Sequence, residues 1–277
     1  MILIDVNQII FATVLPALIR QKTTQIDEDV IAHIVYNNIR ACNCKFRSQY
    51  NETVIVNDST NCWRKQAFPY YKAQRKKARD QIAINWKVFF DLVDTIKQDL
   101  RQFFPYKFIE VSECEADDII AVICRNPQEK ILIVSSDKDY IQLHNDLVEQ
   151  YDLVNNRYVK SDNPQQYLFE HIINGDRGDG IPNICSSDNC FVVGQRQKKV
   201  TKSVVAEAEK IEDNKNSELY RNFMRNKTLI DFQMIPATIV ERIEHHVAEA
   251  TRKDRQQLMM YFSHKRMRRL QEQLNDF

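Results

Sequence analysis

The chain has 277 residues, 43% of them hydrophobic, with 39 basic and 38 acidic side chains and a net charge of +1. That is enough apolar material for one large domain or two small ones, and so small a charge neither indicates nor excludes a polyanionic partner. Four glycines are few for an α/β chain and argue against a glycine-rich phosphate loop, and no run of about 18 apolar residues is present to span a membrane.

In chain order, Ile2–Ile4 is predicted as a strand, and the apolar spacing from Ile9 to Ile19 as a helix. Asp27 to Asn43 has helical periodicity, and Thr53–Val56 is the second strand. Residues 63–79 form a basic block. Trp86 to Phe104 is predicted as a long amphipathic helix that stops at Pro105. Phe108–Val111 is the third strand, Glu115–Cys124 a helix and Ile131–Val134 the fourth strand. Leu147–Asp152 and Arg157–Val159, split by Asn155-Asn156, read as a hairpin. Strand signals stop near residue 163, and a helical pattern begins again near Lys202. Strands alternating with helices imply an α/β fold with a mostly parallel sheet, with the helical remainder as a second domain or a cap.

Carboxylates recur just after the strand-like runs: Asp5, Asp58, Glu115 and Asp117, Asp137 and Asp139, and Asp176 and Asp179. Strands of one parallel sheet would bring such residues together at their C-terminal ends. A single Asp after a strand is usually a turn or helix-cap residue. Recurrence weakens that reading, because converging carboxylates repel unless cations neutralise them. An all-oxygen set suits Mg²⁺, with Mn²⁺ as substitute, and two such ions suit phosphodiester cleavage. Local spacing does not choose between Asp117 and Asp118.

Other chemistries lack their motifs. Asp5-Val6-Asn7 breaks the Asp-x-Asp of haloacid-dehalogenase-like phosphatases, and neither a P-loop nor a G-x-S-x-G elbow is present. The seven cysteines have no disulfide framework. Cys42-x-Cys44 and the Cys185/Cys190 pair lack partners at zinc spacing. MILIDVNQIIF has no basic start like that of an export signal, so reduced thiols in a cytoplasm are expected. His245 and His246 are adjacent on a presumed helix and read as surface residues.

The basic block WRKQAFPYYKAQRKKAR holds Arg64, Lys65, Lys72, Arg75, Lys76, Lys77 and Arg79 and no acid, with Trp63, Phe68, Tyr70 and Tyr71 interleaved. Cations for phosphates and aromatics for bases suit single-strand binding. The alternative is a solvated basic face with the aromatics packed beneath it. The block starts five residues after Asp58 and so must rise from the rim of the acidic crevice.

LIDVNQI, the basic block, ECEADDIIAV, ILIVSSDKDYIQLH, INGDRGDGIPN, NKTLIDFQMIP and the closing QLNDF together resemble the structure-specific 5′ nucleases, which include the flap endonucleases, and in particular their bacteriophage branch. The resemblance spans almost the whole chain. It implies a PIN-like core at 1–162 with a helical arch at 63–79, and a helical region at 163–277 carrying a helix–three-turn–helix-like DNA-binding element. It implies that Asp5, Asp58, Glu115 and Asp117 hold a first divalent ion, and that Asp137, Asp139, Asp176 and Asp179 belong to a second, some through water. It also favours Asp117 over Asp118. Lys72 and Arg75 match the arch cations near the scissile phosphate, and Tyr71 an arch aromatic. Where many relatives have a Gly-rich turn and a K⁺ site, this chain has CSSDNCFVVGQRQKKV, so Lys198, Lys199 and Lys202 are expected to take over part of the duplex grip.

The expectation is a Mg²⁺-dependent 5′→3′ exonuclease and flap endonuclease. It would remove RNA primers and adjoining DNA from lagging-strand fragments during phage replication, in the cytoplasm of the host. Branched or nicked DNA and RNA–DNA hybrid are the implied substrates. The resemblance also implies a monomer with no membrane contact that touches the phage single-strand-binding protein. A PIN-type ribonuclease and a catalytically silent branched-DNA-binding protein are the alternatives.

Overall fold

The computed structural model describes residues 1–21 and 28–277. In order come β1 (Ile2–Asp5), α1 (Val6–Gln21), α2 (Glu28–Phe46), β2 (Thr53–Val56), α3 (Trp63–Ala67), α4 (Arg75–Arg79), α5 (Trp86–Phe103), β3 (Lys107–Ile109), α6 (Ala116–Ile123) and β4 (Ile131–Val134). A 3₁₀ turn at 138–143 leads to β5 (Val148–Asp152) and β6 (Arg157–Val159). The rest is α7 (Pro164–Asn174), α8 (Lys202–Ala208), α9 (Glu218–Ile230), α10 (Ala237–Glu249), α11 (Arg255–His264) and α12 (Arg268–Glu272), with short 3₁₀ turns between them. The expected start of the second helix, Asp27, lies outside the described residues.

The sheet order is β3-β2-β1-β4-β5-β6. Every pairing is parallel except β5 with β6, which is antiparallel. The chain winds outward from β1 to β3 on one side and from β4 to β6 on the other. The topological switch therefore lies between β1 and β4, where open α/β sheets form their crevice. β1, β2 and β4 are buried along their whole length, as strands covered on both faces must be.

Alternate residues of β1 divide between two cores. Ile2 and Ile4 join α1, α2, α5, α11 and the C-terminal Phe277, while Leu3 joins α6, α10, Trp63 and Phe232. Helices from beyond residue 163 thus complete both faces of the sheet. α5 buries Phe89, Leu92, Val93, Ile96 and Leu100 on one stripe, the spacing of an amphipathic helix. Asn85 caps it by accepting from the Val88 amide, and the extended Phe104 before Pro105 ends it. A third apolar cluster joins Phe68 and Tyr71 of the basic block to Ile172, Ile173, Ile181 and α9, fixing that block against α7 and the loop that follows it.

Candidate metal centre and nucleic-acid interface

All eight carboxylates singled out above come together beyond the C-terminal ends of the parallel strands. Asp5 ends β1 and accepts from the Gln8 amide at 3.1 Å. Asp58, past β2, accepts from the Ala116 amide at the start of α6 at 2.7 Å, which ties the second strand to the Glu115–Asp117 segment. The Tyr140 hydroxyl, fully buried, donates to Asp117 Oδ1 at 2.8 Å and lies 3.4 Å from Asp5 Oδ2. Asp137, past β4, caps the 138–143 turn through the Asp139 amide at 3.0 Å. Asp176 accepts from the Asp179 amide at 3.0 Å, which folds the 176–179 loop back on itself. Gly175 makes that entry possible. Its φ is +67°, and a Cβ there would lie 2.4 Å from the Ile181 carbonyl oxygen.

The cluster is electrostatically frustrated. Burial, and then the charge of Asp58, lift the Asp5 carboxyl from 3.8 to about 7. Burial, and then Asp137, lift Asp139 to about 7 as well. Asp58, Asp117 and Asp137 are also raised, first by burial and in part by neighbouring carboxylates. Glu115 goes the other way: burial pushes it up, but Lys72 and Arg64 outweigh that and hold it at about 2. Asp176 is likewise lowered against its burial, by His171 and the Asp179 amide. Carboxylates so crowded that they hold protons near neutrality have more negative donor capacity than the protein neutralises. A hard divalent cation, which favours oxygen donors, fits this set.

Asp117 and Asp118, one residue apart, have different surroundings. Asp117 faces the cluster. Asp118 is fully buried beneath it, with Oδ1 2.8 Å from Arg64 Nη1 and Oδ2 accepting from Trp63 Nε1 and the Glu115 amide at 3.1 and 3.0 Å. It forms a capping box with Glu115 at the start of α6.

The basic block needs correction in part. Arg64 is 3% exposed, and its guanidinium is bound by Asp118, Glu115 and the Leu229 carbonyl. It is a structural partner of the acids, and its guanidinium is turned away from any strand. Trp63, Phe68 and Tyr71 are buried too, so these three aromatics lie beneath the block instead of stacking on bases, and Tyr70 is half-buried against Phe68. Tyr71 donates to Glu115 and also lies 2.9 Å from Asp179. Lys65, Arg75, Lys76 and Lys77 are exposed, and Arg79 is partly so, with its guanidinium over the Phe90 ring.

Lys72 and Arg75 reach the crevice. Lys72 Nζ contacts Glu115 at 2.5 Å and Asp179 at 3.6 Å, and Arg75 Nη2 contacts Asp179 at 2.5 Å. Lys72 has φ of +56°, a conformation unfavourable for a side-chain-bearing residue. Its amide donates to the Asp179 carbonyl at 2.7 Å, and Gln74 donates to the carbonyls of Arg177 and Gly178. The basic block is thereby latched to the 176–179 loop across the carboxylates. Lys198, Lys199 and Lys202 are exposed at the end of the long loop after α7 and the start of α8.

Two groups escape a reading of the sequence. Tyr140 directly follows Asp139, but nothing in its spacing marks it as a bridge between Asp5 and Asp117. His171, on the last turn of α7, lies between Asp139 and Asp176, and one ligand atom from each of these three residues falls within 4.8 Å of the others. Only the placement of α7 relative to the 138–143 turn reveals it.

Residues 1–170 match the family model of the 5′–3′ exonuclease N-terminal resolvase-like domain, and residues 163–277 that of the T4 RNase H C-terminal domain. The ribonuclease H of Enterobacteria phage T4 is 30% identical over 292 residues, covering 99% of this chain and 95% of the relative. A flap endonuclease Xni of Shewanella sp. (strain MR-4) is 29% identical over 133 residues, covering 44% of this chain and 48% of the relative. The solved T5 5′-exonuclease with zinc bound superposes with a TM-score of 0.63 at 14% identity, covering 90% of this chain and 98% of that one, a likeness of fold. The chain therefore belongs to the 5′–3′ exonuclease family, in the branch that carries the phage RNase H C-terminal domain.

Proposed function

We propose that the chain is a divalent-metal-dependent 5′ nuclease that removes RNA primers and adjoining DNA from lagging-strand fragments, and that also cuts 5′ flaps. The observation that carries this reading is the crevice in which Asp5 and Asp139 are held at about 7 while Lys72 and Arg75 close over it. We assign Asp5, Asp58, Glu115 and Asp117 to a first ion, and Asp137, Asp139, Asp176 and Asp179 to the side of a second. Mg²⁺ is the natural occupant of so oxygen-rich a set, with Mn²⁺ able to replace it. We read the core as PIN-like, with 1–162 as the nuclease unit and 163–277 as the helical region.

Two such ions, when bound, supply acidification of the attacking water and neutralisation of charge on the phosphate oxygens. The protein does the rest. A water oxygen bonds to phosphorus as the bond to the leaving 3′-oxygen breaks, so the product carries a 5′-phosphate. Lys72 and Arg75 are bound to Asp179, and a phosphate entering the crevice competes with that carboxylate for them. Their charge then lies where the phosphoryl oxygens gain negative charge. Asp118, Arg64 and Trp63 hold the first turn of α6, and with it Glu115 and Asp117, in place. Lys65, Lys76, Lys77 and Arg79 offer sequence-independent phosphate contacts, and Lys198, Lys199 and Lys202 a duplex grip behind the site.

Branched or nicked DNA and RNA–DNA hybrid are the substrates of this reading. Action as a monomer and contact with the phage single-strand-binding protein rest on the family resemblance, and sedimentation and a pull-down test them. No described helix is long and apolar enough to cross a membrane. The test of function is purified protein with Mg²⁺, Mn²⁺ or EDTA on 5′-labelled RNA–DNA hybrid, nicked duplex and 5′-flap duplex. Cleavage of all three, only with a divalent ion, is expected. Binding of branched DNA without cleavage would favour the silent DNA-binding alternative.

A further inference from the structure

His171 lies between two carboxylates of the crevice, one facing each ring nitrogen. Its Nε2 lies 3.4 Å from Asp176 Oδ2, and its Nδ1 lies 3.5 Å from Asp139 Oδ1. Asp176 uses its other oxygen to accept the Asp179 amide at 3.0 Å, so this carboxylate is held from both ends and fixes the ring. Nδ1, in contrast, is buried and has no hydrogen-bond partner among the described residues. An imidazole that gives one N–H to a carboxylate presents the lone pair of its other nitrogen, the common arrangement for a metal-binding histidine. Without a proton on Nδ1, its lone pair and Asp139 Oδ1, 3.5 Å apart, repel unless a metal ion lies between them. His171 Nδ1 and Asp139 Oδ1, 3.5 Å apart, can both lie about 2.1 Å from one ion.

We propose that His171 Nδ1 is a direct ligand of the ion on the Asp139 side, with Asp176 orienting the ring from outside the coordination sphere. This rests on the two-ion reading above and deepens it. A nitrogen among oxygens moves a site's preference from Mg²⁺ toward transition ions that accept imidazole. The second site is then mixed in donor type, and the first, built from carboxylates alone, is not.

The experiment uses the full chain loaded with Mn²⁺, which is visible by electron paramagnetic resonance. Pulsed measurements on the wild type should show nitrogen modulation from a bound imidazole, and His171→Gln should abolish it. Mn²⁺ titration should give two sites in the wild type. In the variant the weaker site should lose about tenfold or more in affinity and the other should be unchanged, while the preference for Mn²⁺ over Mg²⁺ at the weaker site should shrink. Thermal melting in EDTA separates a clamp from a ligand. A lower melting temperature with unchanged Mn²⁺ affinity would make His171 a tether between α7 and the 138–143 turn, and would overturn the proposal. Two Mn²⁺ ions bound with no nitrogen modulation in the wild type would overturn it while leaving the two-ion reading intact. No Mn²⁺ binding to either protein would overturn both.

Discussion

Asp117 and Asp118 should respond in opposite ways to the same Asn substitution. Asp118 is fully buried and accepts from Trp63 and the Glu115 amide while pairing with Arg64. An amide in its place leaves Arg64, itself 3% exposed, with only Glu115 at 3.3 Å to balance its charge. Removing one partner of a buried pair costs about 3–5 kcal/mol. With an unfolding entropy of about 2.1 cal/mol/K per residue, a chain of 277 residues should then melt about 5–9 °C lower. Asp117→Asn keeps an acceptor for the Tyr140 hydroxyl and removes one of several mutually repelling charges. Its melting temperature in EDTA should equal or exceed that of the wild type, while cleavage in Mg²⁺ falls by orders of magnitude and DNA binding persists. Melting by circular dichroism in EDTA, with single-turnover cleavage below the melting range, gives both readouts. If Asp118→Asn melts like the wild type and abolishes cleavage, while Asp117→Asn unfolds early and still cuts, the assignment of the two acids is reversed.

Lys72→Ala and Arg75→Ala should lower the single-turnover cleavage rate more than they weaken binding, whereas Lys76→Ala and Lys77→Ala should weaken binding and flatten its salt dependence. Equal effects from all four would reduce the block to a general phosphate-binding patch. Replacing Lys198, Lys199 and Lys202 together with Ala should weaken binding to duplex-containing substrates but barely affect single strands, and exchange of K⁺ for Na⁺ should change affinity little; a strong K⁺ requirement with a normal triple variant would contradict this. Asp5 and Asp139, raised from 3.8 to about 7, hold more protons folded than unfolded between about pH 4 and 7. The metal-free protein should therefore lose stability as pH rises through that window. His171, raised by its carboxylates against its burial, acts in the same direction, and His33 and His144, lowered by burial, oppose it weakly. At about 1.4 kcal/mol per pH unit the two carboxylates amount to several kcal/mol. Melts in EDTA from pH 5 to 8 should show the fall, and divalent ion should reverse it at the upper end. A flat profile would contradict the burial of these charges.

The sheet is legible in the sequence because its inner strands are short β-branched runs buried on both faces, and period-free apolar runs bounded by polar residues have few other readings. Thr53–Val56 and Ile131–Val134 have the ends that their apolar runs predict. The third strand, expected at Phe108–Val111, is Lys107–Ile109: it can pair only as far as β2 extends beside it, to Val56 with Ile109. The convergence of the carboxylates follows from their place after successive strands. The fate of the basic block does not, because a sequence of alternating cations and aromatics does not say which face turns inward. Arg64 is buried because Asp118, in the first turn of α6, receives it, a contact between residues far apart in the chain. His171 is illegible for the same reason, since its partners belong to a turn and a loop that only the packing of α7 brings together.

The most direct test of a metal-dependent 5′ nuclease asks whether cutting depends both on the ion and on the free 5′ end. A 5′-flap duplex is compared with the same duplex carrying a bulky adduct at its 5′ end or at its 3′ end, each in Mg²⁺ and in EDTA. Cutting of the open and the 3′-blocked substrates in Mg²⁺ alone, with the 5′-blocked substrate suppressed, is the required result. Cutting that survives EDTA would contradict the role of the carboxylates as metal ligands, and cutting that ignores the 5′ block would contradict the reading of the chain as a 5′ nuclease.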